Sequence, residues 1–94
     1  MFKSTAHKGF QLKFENGWTI SVQWGTSNYC SNRSLDHYDL TEWFKREPFY
    51  ECDTAEIAMW GSDDKWYEFE NGDTVKGWCT PNEVAEWIEK CSKF

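Results

Sequence analysis

The sequence predicts an α+β domain: an antiparallel sheet of about five strands in two hairpin units, packed by a C-terminal helix. Three observations predict it. Apolar and polar residues alternate along Phe10–Phe14 and Trp18–Trp24, the period of two that marks half-buried strands. Asn16-Gly17 separates those runs, and Asn71-Gly72 separates two later ones, each a hairpin signal. Thr80-Pro81-Asn82-Glu83 combines an N-cap, a first-turn proline and a reciprocal capping partner, which together open a helix.

The register of the first hairpin is set by its apolar residues. A two-residue loop would pair Glu15 with Trp18 and split the apolar set across both faces. A three-residue loop, Glu15-Asn16-Gly17, pairs Phe14 with Trp18, Leu12 with Ile20 and Phe10 with Val22, so that all six share one face. This places Gly17 in the left-handed region beside a bulge, where a β-branched residue would be costly.

Gly25–Arg33 is a polar, irregular segment leaving the second strand. Asp39 and Glu42 fit a capping box over Leu40, Trp43 and Phe44, and Pro48 stops the helix from running further, so a short helix is expected near 40–46. Thr54–Trp60 reads as a third strand, Gly61–Asp64 as a turn, Lys65–Phe69 as a fourth strand and Thr74–Trp78 as a fifth. Phe69-Glu70-Asn71-Gly72 repeats Phe14-Glu15-Asn16-Gly17. The same register logic pairs Tyr67 with Val75 and makes Gly72 left-handed. The closing helix runs to about Ser92, with Val84, Trp87, Ile88 and Cys91 as one apolar stripe.

The 94 residues form a single domain, 1–94. With seven Trp, seven Phe and four Tyr, and few aliphatic residues, rings are expected to fill the core and to leave an exposed aromatic patch at its edge.

The net charge of −6 disfavours direct DNA or RNA binding and adsorption to anionic membranes. Eight acidic residues and one lysine lie between Glu51 and Asp73. They read as a solvated face or as an imitation of a nucleic acid backbone. No apolar run is long enough to span a membrane, and no export signal opens the chain. Cys30, Cys52, Cys79 and Cys91 are therefore expected to be reduced, mostly in small apolar core roles. They form no C-x-x-C pair, so neither a metal nor a cofactor is expected.

His7 and His37 could each supply a base to a small hydrolase, but no nucleophile is tied to either. Asp63 and Asp64 sit in a turn that favours aspartate for backbone reasons. No catalytic residue is assigned and the chain is expected not to be an enzyme. Binding is better supported. Trp24, Asn28, Tyr29, Asn32 and Arg33 form a sequence-local set rich in rings and hydrogen-bonding groups. Such a set suits a protein hot spot or a small nucleotide.

Asn16–Gln23 followed by Gly25 and Asn28-Tyr29-Cys30, Asp53–Ala58, and Asp73–Trp78 through Thr80-Pro81 and Glu83-Val84-Ala85 resemble small tailed-phage accessory proteins of unassigned activity. The resemblance covers the larger part of the chain and leaves out Leu35–Tyr50, as an insertion would. It brings no site residues. It implies a phage accessory protein expressed in the host cytoplasm, and by analogy with other such proteins the expectation is one that binds and inhibits a host protein, for example a factor of anti-phage defence. The alternatives are a sponge for a nucleotide signal, a small hydrolase or a structural virion component, and a homodimer is compatible with each.

Overall fold

Five antiparallel strands lie side by side in chain order, β1-β2-β3-β4-β5, in one open sheet. A computed structural model describes residues 1–5, 8–25, 27–31, 33, 51–70 and 72–94. The strands are β1 (Phe2–Ser4), β2 (Gly9–Lys13), β3 (Thr19–Gln23), β4 (Ala55–Trp60) and β5 (Lys76–Cys79), and helix α1 (Pro81–Ser92) comes after them. His7, Asn32, His37 and the helix expected near 40–46 lie outside the described residues.

The first hairpin has the odd loop and the register that its apolar pattern requires. Phe10 pairs with Val22 and Leu12 with Ile20. The Phe14 N–H donates to the Trp18 carbonyl at 2.9 Å, and the Gly17 N–H to the Phe14 carbonyl at 3.0 Å. Gly17 has φ 87°. The later turn repeats this bonding, Phe69 N–H to the Asp73 carbonyl and Gly72 N–H to the Phe69 carbonyl, with Gly72 at φ 77°. One tetrapeptide thus produces one turn twice, because only glycine enters this region without a Cβ penalty.

Beyond that turn the expected second hairpin takes another form. The segment expected as a strand over Lys65–Phe69 contributes a single bridge, Trp66 with Trp60, and the Tyr67 N–H donates to the Met59 carbonyl at 2.8 Å. Tyr67 therefore pairs toward β4, and Val75 carries no ladder pairing. Further along the same edge, Lys76 pairs with Ile57 and Cys79 with Ala55 across a register shift. Residues 65–67 and β5 thus occupy one lane beside β4, and the described residues between them, 68–70 and 72–75, carry no pairing with β4. The fifth strand comes from β1, which pairs Phe2 with Leu12 and Ser4 with Phe10.

Helix α1 starts as its sequence dictates. The Thr80 hydroxyl accepts the Glu83 N–H at 3.2 Å, and the Glu83 carboxylate accepts the Thr80 N–H at 3.1 Å. These bonds satisfy two donors that a helix start leaves orphaned. The Val84–Trp87–Ile88–Cys91 stripe covers the sheet, with Cys91 fully enclosed.

Among the described residues, rings pack against the core without being enclosed in it. The fully enclosed side chains are Ile20, Ile57, Met59, Cys30, Cys79 and Cys91, and among the described residues no Phe, Tyr or Trp is buried. The rings form a half-buried belt instead. Phe94 stacks on Tyr67 at 5.4 Å and meets Trp18 edge-on at 4.8 Å, while Phe69 meets Trp87 at 5.1 Å. The centre of the seam between helix and sheet is occupied by branched aliphatics, methionine and thiols. The rings close its margin.

All four cysteines are thiols, joined by no disulfide. Burial pushes the Cys91 thiol up to about 11. Desolvation also raises Cys79, aided by the nearby Glu83 charge and opposed by Lys76.

Candidate functional site

The loop after β3 is held by one carboxylate. Glu56 on β4 accepts the Tyr29 N–H at 2.7 Å and the Asn28 side-chain amide at 3.3 Å. Asn28 folds its other end back to accept the Gly25 N–H at 2.9 Å. Asn28 is thus a bracket that fixes the loop, engaged at both ends of its amide.

Anchored in this way, Tyr29 meets β5. The Trp78 N–H donates to the Tyr29 carbonyl at 2.7 Å, and the two rings lie 5.7 Å apart, tilted 46°. The Arg33 guanidinium sits 4.3 Å above the Tyr29 ring, a cation–π arrangement, and donates to the Ser27 carbonyl at 3.4 Å. Close approach of the two segments requires Gly77. A Cβ there would lie 2.6 Å from the Tyr29 Cβ and 3.0 Å from its carbonyl oxygen. Tyr29, Arg33 and Trp78 form one surface, with Tyr29 43% and Trp78 55% exposed.

Trp78 stands at φ 51°. For a bulky side chain this is a true outlier, costing about 1–3 kcal/mol. Such a cost is expected to be offset by enclosure of the indole, yet Trp78 packs against the Tyr29 ring and remains exposed.

Trp24 belongs elsewhere. It continues the Ile20–Val22 side of β3, since alternate residues share a face, whereas Glu56 belongs to the opposite set from Ile57 on β4. Trp24 packs edge-on against Phe10 at 6.1 Å. It also lines a cavity of about 320 Å³ with Cys52, Asp53, Pro81 and Val84. The predicted set therefore divides. Tyr29 and Arg33 come together, Asn28 supports them, Trp24 faces the helix side, and Asn32 lies outside the described residues.

Trp78 and Glu56 were not singled out from the sequence. Glu56 could have been found as a carboxylate on the polar side of a strand flanked by Ala55 and Ile57. The backbone of Trp78 has no sequence signal beyond the preceding glycine.

No protein-family model, curated protein or solved structure matches the chain. Among the described residues, no group of three or more histidine, cysteine or acidic side chains is placed to hold a metal ion, and no helix is long and apolar enough to cross a membrane. The exposed rings and the cation among them can desolvate against a complementary surface, which is the chemistry of a contact patch.

Proposed function

We propose that this protein is a non-enzymatic binding module that docks a partner protein on the Tyr29–Arg33–Trp78 surface. One observation carries the reading: an exposed tryptophan is held in a costly backbone conformation beside a second exposed ring and an arginine. Backbone strain gathers at contact and ligand sites, so a strained tryptophan that stays exposed points to a contact surface. Tyr, Trp and Arg are the residues that dominate protein hot spots. The resemblance to tailed-phage accessory proteins extends the proposal. The partner is then a host protein in the bacterial cytoplasm, and its inhibition in anti-phage defence is the role that fits.

The ring geometry favours a protein partner over a nucleotide. Tyr29 and Trp78 touch each other at a tilt, so no base can slide between them. The cavity beside Trp24 is lined by Glu51 and Asp53, which repel phosphate.

The test is affinity capture from bacterial lysate with wild type, Trp78→Ser, Arg33→Glu and, as a control ring, Trp66→Ser. A protein that is retained by wild type and Trp66→Ser but lost from the other two is expected. Capture indifferent to Trp78 and Arg33, or heat release of a nucleotide from the purified protein, overturns the reading.

A further inference from the structure

The far edge of the sheet carries a second surface, independent of the Trp78 patch. The sheet is open, and β1 is its outermost strand. The Lys13 N–H donates to the Met1 carbonyl at 2.9 Å and the Thr5 N–H to the Gly9 carbonyl at 3.1 Å. In an antiparallel ladder such pairs alternate. Met1, Lys3 and Thr5 thus turn their backbone groups toward β2, and Phe2 and Ser4 turn theirs outward. Phe2, Lys3 and Ser4 are all exposed, and the Phe2 ring is 87% exposed.

The charge on this edge is opposite to that of the molecule. Residues 1–14 contain Lys3, Lys8 and Lys13 and no Asp or Glu, which leaves seven basic against sixteen acidic residues in the rest of the chain. Lys3 lies on the edge strand opposite Gln11, and Lys13, two residues further along β2, lies opposite Met1, so both lysines stand on one face, Lys3 at the edge and Lys13 one strand inboard. Two copies joined through β1 about a two-fold axis would bring their Lys3 side chains together. The edge is thus biased against its own copy, a common device on exposed strands, and toward a segment of opposite charge.

We propose that the β1 edge takes up an extended acidic peptide segment of a partner protein as an added antiparallel strand. The outward groups of Phe2 and Ser4 supply the main-chain bonds, and Lys3 and Lys13 face alternate acidic side chains. This is strand addition in which backbone bonding gives attachment and side-chain charge gives selection.

The test uses an alternating Glu-Val octapeptide and its Lys-Val counterpart, titrated into the isotope-labelled protein and followed by amide shifts and hydrogen exchange. The acidic peptide is expected to shift and protect Phe2 and Ser4, to bind at least about tenfold more tightly than the basic one, and to weaken several-fold as salt screens the lysines. Ser4→Pro removes an outward donor without touching the β2 ladder, a position where proline is tolerated. It is expected to abolish binding while leaving the melting curve in place. Lys3→Glu with Lys13→Glu is expected to reverse the peptide preference. No binding of the acidic peptide, binding unaffected by Ser4→Pro, or protection of the edge by self-association in sedimentation would overturn the proposal.

Discussion

The Asn16 side-chain amide donates to the Cys91 carbonyl at 2.9 Å, joining the first hairpin turn to the end of the last helix across 75 residues of sequence. It reaches the Phe94 carbonyl at 3.3 Å as well, while its oxygen accepts the Trp18 N–H at 2.9 Å. One side chain thus closes the turn and bonds one carbonyl of the last helical turn and one beyond the helix end. Asn16→Ala should cost about 1–2 kcal/mol in urea denaturation and speed amide exchange at Lys93. Asn16→Asp should cost more at neutral pH, since it loses the donor and sets a negative charge against the negative helix end.

Gly17 and Gly72 share a backbone conformation but not surroundings. A Cβ on Gly17 would meet the Ser62 side chain at 3.1 Å, and one on Gly72 would meet nothing within 4 Å. Both Gly→Val changes should cost about 1–2 kcal/mol for the left-handed backbone. Gly17→Val should cost measurably more, and a thermal melt of the two variants decides it.

At Trp78 the usual order of substitutions inverts. Because φ is 51°, Trp78→Gly should be more stable than Trp78→Ala by about 1 kcal/mol, the reverse of what strand interiors ordinarily show. Both should lose the captured partner. Alanine more stable than glycine in chemical denaturation would mean that the strain is not there.

The pH dependence has two limbs. Hydrogen bonding to the Thr80 backbone, then to its hydroxyl, lowers the Glu83 carboxyl. Its stabilisation is therefore present above the unfolded value of about 4.3 and is lost as pH falls through the lowered folded one. Cys91 behaves oppositely. Raised to about 11 by burial, it contributes fully below the ordinary thiol value of about 8.5 and loses that contribution as pH rises toward 11. Denaturation midpoints should plateau between these limits. Glu83→Gln should flatten the acid limb in part, because Glu89, lowered by its bond to Lys93, shares it, and Cys91→Ala the alkaline limb in part, because Cys79 shares it.

The features legible in the sequence had local causes. The parity of Phe10, Leu12 and Phe14 against Trp18, Ile20 and Val22 decides a register, and Thr80-Pro81-Asn82-Glu83 decides a helix start. The features that were not legible depend on tertiary competition. β1 is three residues long, too short to show a period, and pairs only because β2 offers an edge. Tyr67 was expected beside Val75, but β4 offers the Met59 carbonyl and takes it. The rings were expected inside because of their area, but the described ones that pack against the core lie half-buried around a centre of Ile20, Ile57, Met59 and thiols. Of the candidate site, Tyr29 and Arg33 were readable from composition. Trp78 was not, because the conformation that presents it arises where two distant segments meet at Gly77.

The outer lane beside β4 is laid in two pieces, residues 65–67 and then β5, with a loop between them whose described residues, 68–70 and 72–75, leave the lane. Residues added to or removed from that loop would leave the bonds of both pieces to β4 unchanged. The detour is also where Phe69 turns toward Trp87 of the helix. Changes in loop length would therefore remodel the aromatic rim without shifting the sheet, so rim and sheet can diverge separately.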